Sequence, residues 1–178
     1  MFGKYKWLSR QHYKEMKNLV NLEEKSGYLI YQLNLLWKRE MSKAISAFDL
    51  TYTQYLVLMA AAWLGDKQDT SVKEQKVTQS GISEFLHIDR MLVSRMVNKL
   101  KKRDLIRDFE DSSSIRSKPL LVTEDGRNML KKVVPMILER EQIFYKGLTA
   151  KEHNELNHLL GKVLSSNQLQ DQPQSSNK

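Results

Sequence analysis

The chain has 178 residues, of which 40% are hydrophobic, enough to bury a core in one domain carrying appended helices. Only 3 Pro and 7 Gly point to long regular elements, and the lack of Cys excludes disulfides, thiol redox sensing and Cys-based zinc or iron–sulfur sites. A formal net charge of +8 favours a polyanionic partner, either nucleic acid or an anionic membrane surface, and the cysteine-free composition suits a cytoplasmic location.

The N-terminal stretch MFGKYKWLSRQHYKEMK is basic and aromatic and lacks the apolar centre of a secretory signal. Ser9 is placed to cap a short helix reaching Val20. From Glu23 to Phe48 the pattern is helical, with Leu29, Ile30, Leu33, Leu36, Trp37, Met41 and Ile45 on a broad apolar face. That face is wider than one intramolecular contact needs, so it is a candidate subunit interface. Leu50 and Thr51 interrupt the pattern, Thr53 restarts it to about Leu64, and Gly65 is expected to stop the helix. The longest apolar cluster, Tyr55 to Leu64, falls short of the ~18 residues of a membrane span, so none is expected. Residues 66–76 (DKQDTSVKEQK) are polar and aperiodic, a loop longer than most.

Residues Thr78 to Thr123 carry the most information. Thr78 caps a short helix to Leu86 with Ile82, Phe85 and Leu86 inward, and His87-Ile88 makes a turn. Asp89 is the expected N-cap of a basic helix ending near Arg103. In that helix Val93, Met96, Val97 and Leu100 recur at core-facing spacing, while Arg90, Ser94, Arg95, Asn98, Lys99, Lys101 and Lys102 fall on the other face. Between Arg90 and Arg107 the cations are Arg90, Arg95, Lys99, Lys101, Lys102, Arg103 and Arg107, against the single acid Asp104, so most of the positive excess sits in one segment. Asp104 stands where the chain must turn, and Asp tolerates the left-handed conformation better than most residues. Leu105–Phe109 and Lys118–Val122 are strand candidates joined by the polar turn DSSSIRS.

Thr123 opens a helix to about Lys146 with Glu124 and Asp125 in its first turn, and Pro135 inside it is expected to bend it. Thr149 and Glu152 have capping-box spacing at the start of a last helix with Leu156, Leu159, Leu160 and Val163 on one face. Residues 165–178 are rich in Gln, Ser and Asn and are expected to be a disordered tail. His12, His87, His153 and His158 form no metal-ligand spacing, so no metal or other cofactor is expected.

A helix roughly 10–12 Å across fits a DNA major groove about 12 Å wide. The size, charge and hydrogen-bonding groups of the basic helix therefore point to double-stranded DNA. Arg90, Met91, Leu92 and Asn98 are assigned to base edges, Arg90 to guanine and Asn98 to adenine. Ser94, Arg95, Lys99 and Lys102 are assigned to phosphates, together with Thr78, Gln79 and Ser80 at the start of the preceding helix. Arg116 and Lys118, on the hairpin, are assigned to the backbone or the adjacent minor groove.

The order of elements, with LTYTQYLVL (Leu50 to Leu58), VTQSGISEFLHIDRMLVSRMVNKLKKRDLIR (Val77 to Arg107) and RSKPLLVTEDG (Arg116 to Gly126), resembles the multiple-antibiotic-resistance regulator (MarR) family of winged-helix transcription factors. Gln54, Val93-Ser94-Arg95, Arg116, Thr123 and Gly126 match that family's pattern in kind and spacing. Ser114 stands where the family usually has an Asp two residues before the wing Arg, Asp104 replaces a usual Gly, and Met91 and Leu92 replace small polar residues. Two exposed apolar side chains at that place suggest contacts to thymine methyl groups.

The resemblance implies a mainly α fold with a small β wing: a winged helix-turn-helix lobe at 50–123 and dimerisation helices at 9–48 and 124–164, all within one domain. It implies a homodimer on a pseudo-palindromic operator. It also implies a small aromatic or amphipathic effector, for which Tyr31, Trp37, Tyr55, Met59 and Trp63 are the candidate lining. The chain shows no nucleophile elbow, phosphate loop or metal motif, so no enzyme is expected. The alternative is a basic amphipathic module for protein interaction or a membrane surface. The hairpin discriminates between them, because a lipid-binding helix has no use for a wing.

Overall fold

The computed structural model describes residues 24–66, 77–109 and 119–168. The expected short helix from Ser9 to Val20, the loop beyond Asp66, the hairpin tip with Ser114, Arg116 and Lys118, and the tail beyond Gln168 lie outside these residues. The chain divides into two compact units, Met1–Glu40 and Met41–Lys178.

Six α-helices and two strands are described. They are α1 (Ser26–Ala44), α2 (Tyr52–Asp66), α3 (Gln79–Leu86), α4 (Arg90–Lys102), β1 (Ile106–Asp108), β2 (Leu120–Val122), α5 (Glu124–Phe144) and α6 (Ala150–Gln168). A 3-10 turn, Ser46–Phe48, follows α1 and ends at Asp49 in the left-handed region with φ 52°. The single helix expected to run to Phe48 is thus two elements, and Asp49 turns the chain into α2.

Polar side chains set most helix starts. Thr51 and Gln54 form a reciprocal cap on α2, with Thr51 N–H donating to Gln54 Oε1 at 2.8 Å and Gln54 N–H donating to Thr51 Oγ1 at 3.2 Å. Thr78 Oγ1 accepts from Gly81 N–H at 3.1 Å, and Asp89 Oδ1 accepts from Leu92 N–H at 2.9 Å. Thr149 and Glu152 cap α6 in the same reciprocal manner, at 2.7 and 3.3 Å. These hydrogen bonds hold the Glu152 carboxyl below its usual range, the Thr149 backbone N–H contributing most.

The core of the second unit is apolar and continuous. Met41 from the end of α1, Ile45 at the start of the 3-10 turn, Val57, Leu58 and Ala60 from α2, Ile82 from α3, and Val93, Val97 and Leu100 from α4 are all fully buried. Ile106 and Val122 from the strands and Val133 and Ile137 from α5 extend it. The strands are antiparallel, pairing Ile106 with Val122, Arg107 with Leu121 and Asp108 with Leu120. Leu120 N–H also donates to Val77 O at 2.7 Å, which attaches the lead-in of α3 to the wing.

Several expectations are corrected. Gly65 lies inside α2 and does not stop it, because the helix runs on to Asp66. Phe85 is exposed rather than inward, since Ile82 alone on that face reaches the core. Residues 165–168 are helical, extending α6 past the expected start of the tail. The helix expected from Thr123 to about Lys146 is present as α5, with Pro135 inside it and its end at Phe144.

Candidate nucleic-acid interface

The site is built on α4. Its cap by Asp89 fixes where the helix begins, and the buried stripe Val93, Met96, Val97, Leu100 fixes which face turns inward. α4 packs on both α2 and α3. Its outer surface therefore has one orientation, presenting Arg90, Met91, Arg95, Asn98, Lys99 and Lys102 to solvent. Met91 is 69% exposed, the most exposed of the large apolar side chains described. Leu92 and Ser94 are half-buried. Leu92 lies one turn from buried Met96, so its side chain leans toward the core and only Met91 meets the expectation of an exposed apolar pair.

Helices α3 and α4 are held at a fixed angle by their turn. His87 takes the left-handed conformation, φ 50°, and Ser83 Oγ donates to Ile88 O at 2.7 Å. At the start of α3, Thr78 is engaged as the cap, Gln79 is half-buried and Ser80 is exposed.

Two cations of the basic segment are held within the lobe. Lys101 Nζ lies 2.6 Å from Asp108 Oδ1 on β1, a partly exposed ion pair that ties α4 to the wing. Arg103, the C-cap of α4, donates from Nη2 to Phe48 O at 3.1 Å and from Nη1 to Asp49 O. It satisfies carbonyls left open where the 3-10 turn ends. The reading that put Lys101 on the solvent face is corrected accordingly. Sequence spacing cannot find these bonds, because neither partner of Arg103 is near it in the chain. Arg90, Arg95, Lys99, Lys102 and, on β1, Arg107 form the exposed cationic surface.

The wing springs from a tight junction. Thr123 Oγ1 donates to Asp104 O at 2.5 Å and accepts from Gly126 N–H at 3.0 Å. Asp104 sits at φ 53°, in the left-handed region. Phe109 N–H donates to Pro119 O at 2.8 Å at the base of the hairpin.

An open cleft of about 500 Å³ lies beside the far end of α4, between Lys99, Lys102 and Arg103 on one side and Asp49, Thr51 and Gln54 on the other. Ser46 and Leu50 complete its lining. The sequence carries no signal for it, since it is assembled from the α1–α2 connection and a distant helix.

The candidate effector lining divides between the two units. Tyr31 and Trp37 lie on the part of α1 in the first, Tyr31 exposed and Trp37 half-buried. Tyr55, Met59 and Trp63 form one stripe of α2 that grades from buried Tyr55 to Trp63 at 51% exposure. Tyr55 stacks on Tyr52 with ring centroids 5.9 Å apart. Burial pushes the Tyr55 phenol up, with smaller contributions from Tyr52 and Glu141. His153 stacks on Tyr145 at 4.7 Å. Among the described residues no His, Asp and Glu cluster could hold a metal, and no helix is long and apolar enough to cross a membrane.

No protein-family model matches the chain. An uncharacterized HTH-type transcriptional regulator of Bacillus subtilis, YdcH, is 28% identical over 127 residues, covering 71% of this chain and 82% of the relative. A mutant MarR of E. coli, solved in complex with operator DNA, superposes with a TM-score of 0.68 at 22% identity, covering 84% of this chain and 97% of that protein. BpsR of Bordetella bronchiseptica, whose DNA binding is regulated by 6-hydroxynicotinic acid, superposes with a TM-score of 0.67 at 24% identity, covering 79% of this chain and 98% of that protein. The chain has the MarR-type winged helix-turn-helix fold, mainly helical with a small two-stranded wing.

Proposed function

We propose that the chain is a sequence-specific DNA-binding transcriptional regulator that works as a homodimer on a pseudo-palindromic operator. The observation that carries this reading is α4. It is capped at Asp89, buried along Val93, Met96, Val97 and Leu100, exposed along Arg90, Arg95, Asn98, Lys99 and Lys102, and followed directly by a wing. A basic helix alone would be a solvated face; one held in a helix-turn-helix and backed by a wing is presented to a groove. The operator complex of the E. coli MarR neighbour, which shares the fold, supports it.

In this reading Arg90, Met91 and Asn98 address base edges, while Leu92 packs toward the core. Ser94, Arg95, Lys99 and Lys102, with Thr78, Gln79 and Ser80, address phosphates, and Arg116 and Lys118 extend the contact from the wing. Two copies place their recognition helices about 34–36 Å apart, one turn of B-DNA. A small aromatic effector belongs to the same reading, supported by the BpsR neighbour, and the Tyr55, Met59 and Trp63 stripe is its candidate contact on α2.

Selection of bound duplexes from a random pool gives the operator and tests the reading directly. Asn98→Ala is then expected to relax preference at one base pair by about 1–3 kcal/mol, whereas Arg116→Ala weakens binding to all sequences alike. Equal loss on operator and random duplex for Asn98→Ala would remove Asn98 from base readout. Failure of the pool to enrich any sequence would remove the function itself.

A further inference from the structure

Taking the DNA-binding reading as its basis, we propose that the cleft beside the C-terminal half of α4 is a phosphate seat, occupied by the DNA backbone at the outer edge of the recognition-helix contact. Its charge balance favours an anion. Lys99, Lys102 and Arg103 line it, against Asp49 as the one carboxylate in the lining. Its walls are already set. Arg103 is fixed by the Phe48 and Asp49 carbonyls, and the Thr51–Gln54 cap holds the opposite wall with Thr51 Oγ1 donating to Gln54 Oε1 at 2.9 Å. A site whose polar walls are held before the ligand arrives loses little freedom on binding.

The place of the cleft on α4 names its occupant. Arg95, Lys99 and Lys102 recur at spacings of four and three, so they form one stripe running about 10 Å along the helix. The stripe starts among the groove-facing residues and ends at the cleft. A strand tracked by that stripe delivers its next phosphate between Lys102 and the α1–α2 connection. Ser46, Asp49 and Thr51 thereby join the interface as residues that no motif of the basic helix includes. The Asp49 carboxylate opposes the phosphate and moderates affinity, while the Asp49 backbone supplies the carbonyl that fixes Arg103.

Charge changes within the cleft test this without touching α4. Asp49→Asn keeps a residue that tolerates the left-handed region, and Ser46→Glu adds a carboxylate at an exposed position. With the full chain and fluorescent duplex at fixed salt, Asp49→Asn is expected to tighten binding about three-fold and Ser46→Glu to weaken it about five-fold, on operator and random duplex alike. Asp125→Asn, at an exposed position in the first turn of α5, serves as a charge control and leaves the affinity in place. Wild-type binding with no response to either cleft variant overturns the seat and leaves the DNA-binding reading intact, whereas no duplex binding by wild type overturns that reading. Inorganic phosphate titrated against chloride at equal ionic strength distinguishes the source. Release of duplex by phosphate alone, lost in Ser46→Glu, supports a seat shared with the backbone, whereas phosphate that binds the wild-type chain, measured by calorimetry, without releasing duplex assigns the cleft to a free anion and overturns its assignment to the backbone.

Discussion

At Gly126 an added Cβ would lie 2.1 Å from the Leu105 carbonyl oxygen and 2.8 Å from Val122 Cγ1. The first turn of α5 thus presses directly on the backbone that leaves α4. The same carbonyl accepts from Thr123 N–H at 3.2 Å, so the close approach is also a hydrogen-bonded junction. The Thr-x-x-Gly spacing is therefore a packing requirement: Thr supplies the cap and the bond to Asp104, and Gly supplies the space. Backbone cannot retreat as a flexible side chain can. Gly126→Ala is expected to destabilise the fold by about 2–3 kcal/mol, read as a lowered urea midpoint with an unchanged slope. Gly126→Ala matching wild type in that measurement would mean that the junction yields at little cost.

Among the elements, α2 shows how a local signal and tertiary packing can disagree. Gly65 carries the usual mark of a helix end, yet α2 continues to Asp66, whose carboxylate pairs with Arg127 on α5 at 3.1 Å. Among the described residues a Cβ at Gly65 would meet only Val77 Cγ2, at 3.9 Å. Gly65→Ala is expected to stabilise the protein by about 0.5–1 kcal/mol, because it reduces the freedom of the unfolded chain and strains nothing. A lowered thermal midpoint would contradict that. The contrast marks what the sequence makes readable. Caps at Thr78, Asp89, Thr123 and Thr149 depend on partners three residues away, and the stripe of α4 depends on helical period, so both are written locally. The staples that orient α4 are written nowhere in the local pattern. Lys101 finds Asp108 across the turn into β1, and Arg103 reaches back to the 3-10 turn across the whole of α2 and α3. A run of Lys-Lys-Arg looks uniform as sequence, yet folding separates it into one ion pair, one outward cation and one internal clamp. The phosphate seat was hidden for the same reason, since its walls come together only when α4 packs on α2.

For the whole molecule, the unexplained feature is apolar surface. Met136, Leu138 and Ile143 on α5 and Leu159, Val163 and Leu164 on α6 are exposed, and Leu29, Ile30, Leu33 and Leu36 are exposed on the first unit's part of α1. A single polypeptide in water gains nothing from such faces, and contiguous exposed apolar patches of this kind mark interaction surfaces. A second copy of the chain is the occupant that the DNA-binding reading requires, because a pseudo-palindrome is matched by a twofold particle. Leu159 and Val163 are four residues apart on one face of α6, so the double variant Leu159→Asp with Val163→Asp places two charges in the proposed contact without entering the core. Sedimentation is expected to show a monomer with wild-type helix content by circular dichroism. Operator affinity should fall by about 100-fold or more, as the second half-site no longer adds to the first. The slope of log affinity against log salt should fall to roughly half, because half of the phosphate contacts are lost. A double variant that sediments as a dimer with an unchanged salt slope would move the subunit contact away from α6 and leave its apolar face to another partner.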